Sequence, residues 1–129
     1  MDGMFSYDWK FQSDISKWNV SNVLTMIDMF VQAENFNADI SKWDVSKVKD
    51  MSGMFGMAYA FNKDISKWNV SSVSDFSYMF TQARSFNQNL CRWNRKIKVK
   101  TNTENMFPGT NCSTQQDPIP RVGPWCHIC

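Results

Sequence analysis

DISKWNVS at residues 14–21 recurs unchanged at 64–71, and DISKWDVS stands between them at 39–46. The three copies are offset by 25 residues, and the register extends well beyond them. Met-Phe pairs fall at 4–5, 29–30, 54–55, 79–80 and 106–107, so the first three intervals are 25 and the last is 27. Phe recurs at 11, 36, 61 and 86, and Trp at 18, 43, 68 and 93. Ile15, Ile40 and Ile65 continue as Leu90, while Val recurs at 20, 45 and 70 and at 23, 48 and 73. Met26 and Met51 give way to Phe76, which keeps the bulk. So many columns in one register mark a repeat protein.

One unit cannot bury its own apolar residues. Stacked units place each column over its copy and build a continuous core. Within a unit, Met29, Phe30, Ala33 and Phe36 suit one face of a short helix, and Val45 to Met51 reads as a bend leading into a short strand. The expectation is a right-handed α/β solenoid of about four 25-residue coils. Its units are 1–28, 29–53, 54–78 and 79–107, followed by a Pro- and Cys-rich C-terminal cap over 108–129.

Phe36 to Phe55 carries F-N-x-D-I-S-K-W-[ND]-V-S followed by M-x-x-M-F. The pattern, covering Met1 to about Phe107, resembles the 25- to 26-residue repeat of BspA-like bacterial surface proteins. That leucine-rich-repeat-like group is also seen in secreted algal proteins, and the ending G-P-W-C-H-I-C is similar to theirs. The resemblance implies a leucine-rich-repeat-like solenoid displayed on or outside cells, of undefined function or associated with adhesion. It supplies no catalytic residues.

Composition agrees with one core-forming domain: 129 residues, 43% hydrophobic and 20% charged. No apolar run approaches a membrane span, and a net charge of +2 gives no general argument for nucleic acid. Four cysteines beyond residue 90, with sequons at Asn19, Asn69 and Asn111, favour a secreted or cell-surface protein. Met1 to Phe5 matches Met51 to Phe55, so the chain opens inside a repeat, leaving room for an upstream targeting segment or further repeats.

Each chemical motif has a structural reading beside it. Trp18, Trp43, Trp68 and Trp93 form either a buried spine or, exposed, a platform for sugars. Asp14, Asp39 and Asp64 would suit a calcium row. Against that, an Asx-type turn uses them locally, lysines follow at 17, 42 and 67, and Asn89 breaks the row. Asn37, Asn62 and Asn87, with Gln12 before them, read as an inward amide ladder. Arg92 to Lys100 holds five cations in nine residues. Lys96 to Lys100 reads as a strand with Ile97 and Val99 inward, or the whole stretch as a grip for phosphate or acidic polysaccharide.

Cys126-His127-Ile128-Cys129 could hold zinc with Cys91 and Cys112. Disulfides fastening the last coil are the favoured use, and Cys91–Cys112 with Cys126–Cys129 is the preferred of three connectivities. His127 is the sole histidine and the carboxylates do not converge, so catalysis, metal and cofactor are not expected. Variable positions at 31–32, 34–35, 56–57 and 84–85 would face a protein or glycan partner. The readings carried forward are a non-enzymatic extracellular interaction, adhesion or scaffolding module, a head-to-tail filament subunit, and a carbohydrate-binding module.

Overall fold

The computed structural model describes residues 1–129. Parallel single-residue bridges link Thr25 to Asp50, Asp50 to Asp75 and Asp75 to Asn102, at spacings of 25, 25 and 27. We count coils from these points: 1–25, 26–50, 51–75 and 76–102, with a partial turn beyond.

The α/β solenoid expected from the sequence is not what forms. The sole helix is a 3-10 segment, Cys91–Arg95, and pairing is confined to isolated bridges, with no sheet. Residues 29–36 are consecutive turns, and 45–51 hold a turn at 46–47 and a single bridged residue, Asp50. The reason lies in where the amides go. Met26, Asp28, Phe30 and Gln32 donate forward, to the carbonyls of Asp50, Ser52, Met54 and Gly56. The intervening Met29, Val31 and Ala33 donate back three residues, to Met26, Asp28 and Phe30. A helix would send every amide back four residues. A strand would make no bonds within its own segment. Here half the amides tighten the coil and half join it to the next.

That alternation needs left-handed backbone at two places per coil. Gly3, Asp28, Gly53, Tyr78 and Asn105 form one column with φ between 51° and 63°. Tyr7, Gln32, Met57, Gln82 and Gly109 form the second, with φ between 56° and 77°. Two left-handed residues four positions apart stop a right-handed helix from propagating through the segment.

Aromatic ladders fill the interior. Phe30 stacks on Phe36 at 4.0 Å within its coil, and on Phe55 of the next at 5.6 Å. The same pairs recur as Phe55–Phe61 and Phe80–Phe86. Ile40, Ile65 and Leu90 are fully buried beside them, as are Val48 and Val73. The extra length of the fourth coil falls after Trp93. Val70 follows Trp68 by two residues, whereas Ile97, buried like Val70, follows Trp93 by four. Val99, expected inward on a strand, is 66% exposed, because the 3-10 turn ends the register and residues 98–100 form an outward turn.

The C-terminal segment closes the far end. Trp125 is fully buried, edge-on to Phe76 and Trp93, and its Nε1 donates to Asn94 Oδ1 at 3.0 Å. Thr103 Oγ1 donates to the Pro118 carbonyl at 2.6 Å, and the Met106 amide donates to Asp117 Oδ1. Disulfides join Cys91 to Cys129 and Cys112 to Cys126. This corrects the expected Cys91–Cys112 and Cys126–Cys129 pairing. The chain folds back after Cys112 and brings residue 126 against it, carrying Cys129 to the 3-10 turn.

Candidate functional site

The outward edge of the DISK turns presents the repeated polar residues. Each aspartate there is tied into its own turn: Asp14, Asp39 and Asp64 accept from the amides of Ser16, Ser41 and Ser66, each at 2.9 Å. Asn89 does the same for Cys91, also at 2.9 Å, so the carboxylate charge is dispensable for the turn. Asn19, Asp44 and Asn69 repeat the device with the amides of Ser21, Ser46 and Ser71. A third column, Asp50 and Asp75, holds the amides of Ser52 and Ser77.

Hydrogen bonds that favour an ionised carboxylate lower its pKa. The hydroxyls and then the amides of Ser16 and Ser46 hold Asp14 and Asp44 below the usual value. The amides and then the hydroxyls of Ser41 and Ser66 do so for Asp39 and Asp64. Asp28 moves the other way, raised by partial burial and then by the charges of Asp2 and Asp50.

The tryptophans divide. Trp43, Trp68 and Trp93 are buried at 4%, 1% and 0%, whereas Trp18 in the first coil is 42% exposed. The Nε1 atoms of Trp43 and Trp68 donate to the Ile15 and Ile40 carbonyls of the preceding coil, each at 3.1 Å. Three of the four rings are therefore closed to a sugar. The amide ladder is present but lies outside: Asn37 Oδ1 accepts from the Asn62 amide and Asn62 Oδ1 from the Asn87 amide, yet Asn37 and Asn87 are exposed. Phe at 36, 61 and 86 takes the inward side, which turns each following residue outward.

All four cysteines are in disulfides, which leaves no thiolate for zinc. No three His, Cys, Asp or Glu side chains converge as metal ligands. His127 Nε2 lies 3.4 Å from the Asn87 carbonyl, on the cap. The sequon residues Asn19, Asn69 and Asn111 are exposed. Of the variable positions, 34–35 and 84–85 are exposed and 31–32 half-buried, but Gly56 is buried because its carbonyl receives the Gln32 amide.

Two hollows interrupt the edge where it meets the cap. One, of about 610 Å³, is lined by Cys91, Arg92, Asn94, Arg95, Lys96 and Cys129. The other, of about 380 Å³, shares Cys91 and Arg92 and runs on to Gln88, Asn89 and Asp64. A strand reading of 96–100 misses this groove. The signal was available in the unequal spacing that inserts Arg95-Lys96 between Trp93 and Ile97.

Residues 1–119 match the family model described as Mycoplasma protein of unknown function, DUF285, and the chain belongs to that family. This agrees at a coarse level with the resemblance to bacterial surface-repeat proteins. No curated protein and no solved structure matches the chain.

Proposed function

We propose that this member of the DUF285 family is a non-enzymatic extracellular or cell-surface module for protein interaction, adhesion or structural scaffolding. The observation that carries the reading is the division of labour among its side chains. Interior columns repeat with little change, and the repeated carboxylates and amides are spent on their own turns. One rim column meanwhile changes chemistry coil by coil, as Glu34, Tyr59 and Arg84, with Arg84 lying over the Tyr59 ring at 4.4 Å. A surface that varies on a constant frame is what a recognition module presents.

Two disulfides are compatible with an oxidising, extracellular setting, and no helix is long and apolar enough to cross a membrane. The test is saturable binding of labelled protein to intact cells or extracellular matrix. The combined Glu34→Ala, Tyr59→Ala and Arg84→Ala variant should bind at least tenfold more weakly while melting as before. Absence of saturable binding to any such surface would overturn the reading.

A further inference from the structure

The two residues by which the fourth coil exceeds the others, Arg95 and Lys96, are both cations. In the same coil the aspartate of the DISK turn becomes Asn89, and the lysine of that turn becomes Arg92. Asn94, the residue after Trp, keeps the asparagine found at 19 and 69 and is no departure. Each departure from the repeat removes negative charge, adds positive charge, or trades lysine for the planar guanidinium that pairs two-point with oxyanions. Arg92, Arg95 and Lys96 line the larger hollow and Asn89 the one beside it; the two share Cys91 and Arg92 and together make one groove.

The groove is a built surface. The Cys91–Cys129 disulfide forms one wall. Asn94 is fixed by Trp125, and Lys96 Nζ donates to the Trp68 carbonyl at 3.0 Å. The Arg92 and Arg95 side chains form no ion pair; the molecule's one ion pair joins the terminal amine to Asp2. Asp64 is the carboxylate Arg92 acts on across the coil boundary, without a direct contact. The local carboxylate accepts from its own turn and forms no direct pair with either guanidinium.

We propose that this groove binds an acidic polysaccharide, with uronate carboxylates or sulfate esters on Arg92 and Arg95 and sugar hydroxyls on the Nδ2 groups of Asn89 and Asn94, whose oxygens are already bonded. The inference rests on the extracellular reading above and names the partner class. Nucleic acid is disfavoured because Trp93 and Trp125 are buried, leaving no ring in the groove for a base to stack on. A peptide is disfavoured because the lining offers no apolar pocket for an anchoring side chain.

The test titrates the full chain with four probes of matched length: a uronic-acid oligosaccharide, a sulfated one, neutral dextran and single-stranded DNA. Binding to the uronate or the sulfated probe supports the proposal, and which one binds identifies the recognised group. The Arg92→Gln, Arg95→Gln double variant should lose at least tenfold in affinity. Its salt dependence should fall by about two released counterions, one per cation. Lys17→Gln with Lys42→Gln, at the Arg92 position of the first two coils, should leave binding unchanged. Equal binding of dextran, tighter binding of DNA, indifference to the arginine variant, or an equal loss with the lysine variant would each overturn it. Loss of glycan binding with surface attachment intact defeats this inference alone.

Discussion

Trp68 Nε1 donates to the Ile40 carbonyl at 3.1 Å, across the junction between two coils. Trp93, one coil later, is as deeply buried but its Nε1 has no partner. The 3-10 turn Cys91–Arg95 carries Trp93 onto Phe76, 5.3 Å between ring centroids, instead of over a carbonyl. An unmet buried donor costs about 1–3 kcal/mol. Trp68→Phe therefore loses both packing and a satisfied bond, whereas Trp93→Phe loses packing and sheds an orphan. Chemical denaturation should show Trp93→Phe the milder change by about 1–2 kcal/mol. Equal losses would mean the Trp68 bond contributes nothing net.

The left-handed columns make a second prediction, with opposite signs at two sites. Tyr7 has φ 63° and an exposed side chain, so its ring gains little while its backbone is strained. Tyr7→Gly should stabilise the chain by about 1 kcal/mol. Gly53 also has φ 63°, and a Cβ there would run into Asp28 Oδ1. Gly53→Ala should destabilise by at least about 1 kcal/mol. Melting temperatures read both, and a destabilised Tyr7→Gly would remove the strain argument.

The same columns explain how much of the molecule was legible beforehand. Phe36, Phe61 and Phe86 recur every 25 residues and all lie fully inside, since only stacking can bury such columns. The local conformation was not legible. Met29, Phe30, Ala33 and Phe36 have helical spacing, yet Asp28 and Gln32 beside them are left-handed, and only Gly3, Gly53 and Gly109 advertise those columns in the sequence. Connectivity of the cysteines was equally hidden, because a fold-back of the tail decides it. For the groove, the five cations were visible, but their meaning needed the 3-10 turn that places Arg92 and Arg95 beside Cys129.

Stability should respond to acid in two opposed ways. Asp14, Asp39, Asp44 and Asp64 have folded values below the ordinary 3.8, so their contribution is present above that pH and is lost as pH falls through the lower folded values. Asn89 shows that an amide keeps the turn. Asp14→Asn, Asp39→Asn and Asp64→Asn together should therefore fold and flatten the loss of stability between about pH 4 and pH 2. Asp28 is raised, so its ionisation starts to disfavour folding as pH rises past the ordinary 3.8 and does so in full above the higher folded value. Asp28→Asn should raise the melting temperature at pH 7 by about 1–2 °C, with the gain gone at pH 3. A gain that persists at pH 3 would instead report the ease with which asparagine adopts φ near 52°.

The disulfides should rank by the loop each closes. Cys91–Cys129 spans 38 residues and Cys112–Cys126 spans 14. Chain entropy alone assigns them about 4 and about 3 kcal/mol. Urea unfolding of Cys91→Ser, Cys129→Ser against Cys112→Ser, Cys126→Ser should show the first pair more costly, with near-ultraviolet dichroism reporting release of Trp125. If either double variant melts like the parent, that crosslink does not hold the cap.

Glycan attachment is the last test, and it reads the orientation of the coil edge. Asn19 and Asn69 are exposed immediately after Trp18 and Trp68, and Asn111 is exposed near the cap. Asn19 Oδ1 accepts from both the Ser21 amide and the Ser21 hydroxyl, at 3.0 and 2.6 Å. The sequon hydroxyl thus already meets the amide it has to cooperate with. Asp44 occupies the intervening position with the same turn geometry, so one letter removes the acceptor without altering the coil. Expressed through a eukaryotic secretory pathway, the chain should gain mass at Asn19 and Asn69, and at Asn111 where the cap admits the transferase. Asp44→Asn turns Asp44-Val45-Ser46 into the sequon Asn-Val-Ser, so the variant should gain one further glycan. Intact mass before and after glycosidase decides it: a chain that leaves the secretory pathway at its bare 15.0 kDa overturns the proposal that this edge accepts glycans.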